Sequence, residues 1–236
     1  LTATDTQIIT VTDNESPTIT APADVAVNTD ASSCDATGVA LGSATTADNC
    51  GVASVTNDAP AVFLLGTTTV TWTVTDNAGL TATDTQVVTV TDNESPTITA
   101  PADVAVNADA SSCDATGVTL GSATTADNCG VASVTNDAPA VFPLGATTVT
   151  WTVTDNAGLT ATDTQVVTVT DNESPTITAP ADVAVNTDAS SCDATGVTLG
   201  SATTADNCGV ASVTNDAPAV FPLGTTTVTW TVTDNA

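Results

Sequence analysis

The chain has 236 residues, with 27 acidic side chains and no lysine, arginine or histidine, so its formal net charge is −27. Without cationic side chains to neutralise phosphate, nucleic-acid binding is excluded as a main role. Histidine, lysine and tyrosine are all missing, which removes most general acids, bases and nucleophiles. Because only carboxylates and thiols remain for chemistry, we predict that the chain is not an enzyme.

A repeat of 79 residues organises the sequence. The segment LTATDTQ begins at Leu1, Leu80 and Leu159, and self-similarity at a fixed period is typical of repeat architectures. A predicted hairpin crosses Leu80, so the structural repeat begins near Ser16 and not at Leu1. We therefore predict the last strand of a preceding repeat plus a linker at 1–15, repeats at 16–94 and 95–173, and a repeat that lacks its last strand at 174–236.

Strands are the only predicted elements. In the first repeat, alternation and turn residues predict strands at Thr18–Ala21, Val25–Asn28, Asp35–Leu41, Val52–Thr56, Ala61–Phe63, Thr67–Thr75 and Leu80–Thr91. Val70, Trp72 and Val74 alternate with threonines and are expected in the core, which explains the tryptophan better than ligand stacking does. Short strands at this density predict an all-β fold of tandem immunoglobulin-like antiparallel β-sandwiches, forming a beaded rod.

The six cysteines have the same spacing in every repeat. The pairs Cys34/Cys50, Cys113/Cys129 and Cys192/Cys208 are each 16 residues apart. An even count at identical spacing favours one disulfide within each repeat, namely Cys34–Cys50, Cys113–Cys129 and Cys192–Cys208. Such bonds imply an oxidising compartment. The alternative is a set of buried free thiols.

Acidic residues recur at the predicted junctions between repeats. In an immunoglobulin-like sandwich, the first strand, one loop and the last hairpin meet at the same pole, so three acidic segments are expected to converge. Without lysine or arginine, a divalent cation is the natural counter-charge, and calcium binds carboxylate and amide oxygens. We predict calcium sites at Asp13, Glu15, Asp48 and Asp76; at Asp92, Glu94, Asp127 and Asp155; and at Asp171, Glu173, Asp206 and Asp234.

Two other interpretations of these acids stay open. Asp and Asn favour turns, so the acids would then only keep the surface soluble. Magnesium is a weaker candidate than calcium because it requires a strict octahedral shell. The triplet Asn14-Glu15-Ser16 also matches the N-glycosylation pattern, but it lies in the proposed cation site and Pro17 follows it.

The order of motifs resembles a known family. Asp-Asn-Glu-Ser-Pro-Thr-Ile is followed by Pro-Ala-Asp-Val, by Asp-Asn-Cys-Gly and by Phe-Pro-Leu-Gly-Thr-Thr-Thr-Val-Thr-Trp. This combination resembles the hyalin repeat (HYR) family and covers essentially the whole chain, although Leu64 replaces the expected proline in the first repeat. The resemblance implies an immunoglobulin-like fold, an extracellular or cell-surface location and a role in adhesion. The near-identity of the repeats is similar to large secreted bacterial surface proteins.

The leading functional hypothesis is a structural segment of an extracellular fibre or adhesin stalk, whose partners are further copies of the same repeat. A second hypothesis is an adhesive module that binds surface glycans or proteins. A third is a subunit that polymerises head to tail, with Leu1–Thr12 completing the third repeat of another copy; an arbitrary cut from a longer array is favoured over it. No run of about 18 apolar residues is present, so membrane insertion is not expected.

Overall fold

The protein is all-β, as predicted. A computed structural model describes all 236 residues, which form 22 strands and no helix. It therefore contains no helix long and apolar enough to cross a membrane. The chain folds into two compact units, composed of Leu1–Ile98, Thr125–Val134 and Thr152–Thr162, and of Thr99–Thr124, Thr135–Trp151 and Asp163–Ala236. These bounds cut through the second sequence repeat, so the repeat boundaries at 16–94, 95–173 and 174–236 stay a prediction.

Each repeat uses the same series of short and long strands. In the first repeat these are β1 (Thr18–Thr20), β2 (Val25–Asn28), β3 (Asp35–Thr37), β4 (Thr45–Ala47), β5 (Val52–Asn57), β6 (Val62–Leu64), β7 (Gly66–Asp76) and β8 (Thr81–Thr91). In the second they are β9 (Thr97–Thr99), β10 (Val104–Asn107), β11 (Asp114–Thr116), β12 (Thr124–Ala126), β13 (Val131–Asn136), β14 (Val141–Pro143), β15 (Gly145–Asp155) and β16 (Thr160–Thr170). In the third they are β17 (Thr176–Thr178), β18 (Asp193–Thr195), β19 (Thr203–Ala205), β20 (Val210–Asn215), β21 (Val220–Pro222) and β22 (Trp230–Asp234).

One four-stranded sheet and two ribbons make up the first repeat. The sheet has the order β2-β8-β7-β5, and the ribbons are β1-β4 and β3-β6. The long strands β7 and β8 form the predicted hairpin, in which alternate residues face the core. The sequence analysis missed β4, a three-residue strand that exists because it pairs with β1 across the fold.

One pairing differs from the predicted antiparallel architecture. Strands β2 and β8 are parallel, with Val25 opposite Val88 and Val27 opposite Val90. Strands β1 and β2 belong to one extended run that changes from a ribbon to the sheet at Pro22, which has no N–H to contribute to a ladder. Because this run continues in the direction of β8, it joins that strand in parallel.

Two aspartates satisfy the backbone where the chain changes sheets. Asp84 Oδ2 accepts a hydrogen bond from the Ala21 N–H at 2.8 Å, and Asp24 Oδ1 accepts one from the Val87 N–H at 2.8 Å. Two backbone N–H groups, at Ala21 and Thr85, hold the pKa of Asp84 below its usual range. The sequence analysis treated Asp24 as an ordinary loop acid, but it is a structural acceptor.

The core of the first repeat lies between the sheet and the ribbons. Val70, Trp72 and Val74 are buried on one face of β7, as predicted, and Val88 and Val90 face them from β8. Gln86 is fully buried among these side chains. Its amide accepts from Trp72 Nε1 at 3.1 Å and donates to the carbonyls of Ala23 and Leu41 at 2.6 and 3.0 Å. A buried amide is tolerated here because each of its polar atoms has a partner.

The ends of the chain differ from the equivalent segments elsewhere. Leu1–Thr12 contains no strand and is exposed, whereas the equivalent residues in the other repeats form β8 and β16. In the third repeat, β20 and β22 form a sheet of only two strands. Val183 and Val185, which correspond to the partly buried Val25 and Val27 of β2, are 47% and 54% exposed. A strand without a partner cannot pair its backbone groups, which explains why Leu1–Thr12 is irregular.

For the junctions, we call the end of a repeat where β8 or its equivalent begins the leading end. The other end, where that strand finishes, is the trailing end. In the first repeat, Asp48 and Asp76 lie at the leading end and Asn28 at the trailing end. The 11 residues of β8 separate the two ends by about 36 Å.

Candidate cation sites and disulfides between repeats

Aspartates from three separate segments come together at the leading end of each repeat. Within each group, one carboxylate oxygen per residue lies within 4.8 Å of the others. The groups are Asp13, Asp48 and Asp76; Asp92, Asp127 and Asp155; and Asp171, Asp206 and Asp234. These are nine of the twelve residues predicted from the sequence, and we call each group an aspartate cluster.

The strands explain why the cluster forms. In the first compact unit, Asp92 follows β8 directly, Asp127 follows β12, and Asp155 is the last residue of β15. Strand β12 pairs with β9, the strand that comes after Asp92 in the chain. The linker, one loop and the final hairpin therefore meet at one point, as the sequence analysis expected of a sandwich.

Local hydrogen bonds use one oxygen of each aspartate. Asp155 Oδ1 accepts from the backbone N–H groups of Ala157 and Leu159, both at 2.8 Å. Asp127 Oδ2 accepts from the Cys129 N–H at 2.8 Å. Asp92 Oδ1 accepts from the Glu94 N–H at 3.1 Å. These bonds orient the carboxylates and leave the second oxygen of each one free.

The second oxygens are buried and have no partner. They are Asp92 Oδ2, Asp127 Oδ1 and Asp155 Oδ2, and the side-chain oxygen of Asn128 is in the same state. Asp155 as a residue is only 1% exposed. The first cluster repeats the pattern with Asp13 Oδ2, Asp48 Oδ1 and Asp76 Oδ2. Buried acceptors without donors are costly, so their recurrence in one geometry indicates a missing positive group.

Electrostatic repulsion gives the same indication. Two unit charges 4.8 Å apart repel by about 3.5 kcal/mol at an effective dielectric constant of 20. Each cluster contains three such pairs, and the chain has no basic side chain to offset them. A bound divalent cation would replace this repulsion with attraction.

The predicted glutamates lie elsewhere at the junction. Glu94 Oε2 accepts a hydrogen bond from the Ser32 N–H at 2.8 Å, and Glu173 Oε1 accepts one from the Ser111 N–H at 3.0 Å. Ser32 adopts a left-handed backbone conformation with φ 59°, which presents its N–H to the glutamate. The structure thus gives Glu94 and Glu173 a role in joining two repeats, and neither they nor Glu15 belong to an aspartate cluster.

The disulfide pairing predicted from the sequence is wrong. The bonds are Cys34–Cys129 and Cys113–Cys208, each with Cα atoms 4.8 Å apart and a sequence separation of 95. Cys34 and Cys50 lie at opposite ends of one repeat, separated by roughly the length of β8, whereas a disulfide requires Cα atoms within about 7 Å. The same geometry rules out Cys113–Cys129 and Cys192–Cys208. Each bond therefore joins the trailing end of one repeat to the leading end of the next.

Two cysteines stay free. Cys50 and Cys192 are both exposed and unpaired. Desolvation and the carboxylates of Asp13, Asp48 and Asp76 raise the pKa of the Cys50 thiol above its usual range. This is the reverse of the lowered pKa that activates a catalytic cysteine.

An asparagine that sequence reasoning gave no separate role connects the cluster to the disulfide. Asn128 Nδ2 donates to the Ser33 carbonyl at 2.7 Å and to Asp92 Oδ1 at 3.3 Å. Asn207 makes the same bonds to Ser112 and Asp171 at 2.7 and 3.1 Å. The recurrence of Asp-Asn-Cys in each repeat was the available signal. The triplet places a cluster ligand, a linking amide and a disulfide cysteine on consecutive residues.

Comparison with known proteins does not assign a family. No family model and no curated protein match the chain. Similar solved structures include human mucin-like protocadherin EC1-2, at 14% identity and a TM-score of 0.35 over 66% of this chain and 98% of that one. Human CDH23 EC21-23 matches at 12% identity and 0.37, over 90% and 91%. Protocadherin gammaB7 EC3-6 matches at 16% and 0.34, over 94% and 70%. Likeness at this level is too low to assign a function.

Proposed function

We propose that the chain is a structural repeat segment of an extracellular fibre or adhesin stalk, whose junctions bind calcium and are locked by disulfides. The observation that carries this proposal is the recurrence of the aspartate cluster, with its buried and unpartnered oxygens, at the leading end of every repeat. The resemblance to hyalin repeats of secreted bacterial surface proteins supports it from the sequence alone. Disulfides between repeats are consistent with an oxidising compartment.

Calcium fits the ligands better than other metals. The second cluster offers one free oxygen each from Asp92, Asp127 and Asp155, and a fourth from Asn128. Calcium binds six to eight oxygens at flexible geometry, so water and carbonyl groups would complete the shell. Zinc favours cysteine sulfur and histidine nitrogen, but the chain has no histidine and Cys129 is already in a disulfide.

The position of the ligands gives calcium a mechanical role. Asp92 belongs to the linker that leaves β8, whereas Asp127 and Asp155 belong to loops of the following repeat. A cation shared by the three would hold the linker against those loops. The disulfide Cys34–Cys129 holds the same loop to the preceding repeat. Two independent attachments at one junction would restrict bending between neighbouring repeats.

Isothermal calorimetry on the whole chain tests this function. We expect calcium to bind at the clusters with a rise in melting temperature, and magnesium to bind more weakly. Electron microscopy with and without a chelator should then show particles that become more variable in curvature when calcium is removed. If calcium produces neither heat nor a melting shift, the proposed cation sites are wrong.

A second candidate function is head-to-tail assembly by strand donation. Ile9 and Val11 are 79% and 91% exposed, although their equivalents Val88 and Val90 are buried in β8. The third repeat has the matching gap, since its Val183 and Val185 are exposed and no strand occupies the place of β8. Residues 1–12 of another copy would fill this place with the sequence that fills it in the first two repeats.

Light scattering on a variant without free thiols tests strand donation. In the Cys50→Ser/Cys192→Ser background, we expect multimers that grow with protein concentration. Ile9→Asp should abolish them, because it places a charge at a position buried in β8, whereas Thr6→Asp should not, because the equivalent Thr85 is exposed. A monomer at every concentration would contradict this candidate.

A further inference from the structure

The two free cysteines occupy positions that are bonded everywhere else in the structure. Cys50 is equivalent to Cys129 and Cys208, and Cys192 is equivalent to Cys34 and Cys113, at offsets of 79 residues. Both complete pairs of equivalents form a disulfide with the same Cα separation of 4.8 Å. The free thiols therefore mark the two halves of one further junction.

The remaining contacts of that junction are also present in halves. At the internal junctions, a serine N–H donates to a glutamate and an asparagine amide donates to the next serine carbonyl. The third repeat carries Ser190, with a left-handed φ of 67° like Ser32 and Ser111, but no glutamate faces it. The unused partners, Glu15 and Asn49, lie at the leading end of the first repeat.

We propose that the trailing end of the third repeat binds the leading end of the first repeat of another copy, and that Cys192 and Cys50 then form an intermolecular disulfide. This inference rests on the strand donation proposed above. When residues 1–12 complete the third repeat, the next residues of that copy are Asp13 and Glu15. They enter the junction as Asp92 and Glu94 do in the first compact unit, which brings Cys50 to Cys192.

The chemistry requires an oxidant, and a low-molecular-weight disulfide such as oxidised glutathione supplies it. The Cys192 thiolate attacks one sulfur of the oxidant, forms a mixed disulfide and releases one glutathione thiolate. The Cys50 thiolate of the other copy attacks the Cys192 sulfur and releases the second. The two cysteines are oxidised, the oxidant is reduced to two thiols, and the two cysteine protons go to the released thiolates.

Non-reducing electrophoresis in a glutathione redox buffer tests the proposal. The wild-type chain should form a ladder at multiples of 23.1 kDa, which a reductant collapses to the single chain. Cys50→Ser and Cys192→Ser should each abolish the ladder, and their mixture should give one dimer band and nothing larger. Digestion with an aspartate-specific protease and mass spectrometry should identify a Cys50–Cys192 peptide, since the chain has no trypsin sites.

Kinetics separates a directed bond from random oxidation. Docking raises the effective thiol concentration to the millimolar range, so at about 10 µM protein the crosslink should form roughly 100-fold faster than without docking. Ile9→Asp should remove this acceleration, and Thr6→Asp should retain it. Equal rates in both variants, or crosslinks between two Cys50 or two Cys192 residues, would overturn the proposal.

The test also distinguishes this inference from the one beneath it. If the thiol-free double variant assembles but the wild-type chain forms no Cys50–Cys192 bond, strand donation holds and the disulfide inference is wrong. If the thiol-free variant stays monomeric and no bond forms, both are wrong. A Cys50–Cys192 bond that forms at the same slow rate in all variants also counts against a docked junction.

Discussion

Replacing Asp155 with asparagine should change the stability of the protein in opposite directions with and without calcium. Asp155 is 1% exposed, and one of its oxygens has no partner within the cluster. The amide oxygen of asparagine can still accept the two hydrogen bonds from Ala157 and Leu159. The substitution therefore removes a charge and keeps the local turn.

The magnitude follows from the cluster geometry. The substitution removes two of the three repulsive pairs, each worth about 3.5 kcal/mol before screening by solvent and salt. We expect a net gain of about 1–3 kcal/mol in a chelator, which is roughly 2–10 °C in melting temperature for a chain of this size. With calcium at about 100 times its dissociation constant, the wild-type site gains about 2.7 kcal/mol, and the variant should lose this gain.

Thermal melts in a chelator and in calcium measure both effects, and calorimetry should show fewer calcium ions bound per chain. Asp137→Asn is the matched control, because it removes the same charge from an exposed loop where Asp137 accepts from the Thr150 N–H. Lower stability in a chelator, or an unchanged response to calcium, would refute the argument that the carboxylates repel each other and share a cation.

Two further predictions concern the framework of the repeats. Gln86→Ala leaves the Trp72 indole N–H and two backbone carbonyls without a partner, so urea unfolding should show a loss of about 2–4 kcal/mol; Gln7→Ala, at the exposed equivalent position, should cost nothing in the thiol-free monomer. Asp84 has a pKa below its usual range in the folded state because two N–H groups bond it, so its stabilisation is present above about pH 4 and is lost as the pH falls further. The difference in melting temperature between wild type and Asp84→Asn should therefore shrink between pH 6 and pH 2, and a constant difference would contradict the assignment.

Much of the fold could be predicted from the sequence, because local patterns determine it. The alternation of Val70, Trp72 and Val74 with threonine predicted a strand with one buried face, and the structure confirms this burial. The convergence of the aspartates could also be predicted, since the poles of a sandwich bring defined loops together. The short strand β4 and the parallel partner of β2 could not, because both depend on which strands meet across the fold.

The sequence by itself determined the all-β fold, the 79-residue period and the residues that form each aspartate cluster. Only the tertiary structure decided which cysteines pair. In a perfect repeat, a separation of 16 recurs as regularly as a separation of 95, so spacing cannot distinguish a bond within a repeat from one between repeats. The 11-residue strand β8 decides it, because it holds Cys34 and Cys50 at opposite ends of the sheet and leaves Cys129 beside Cys34.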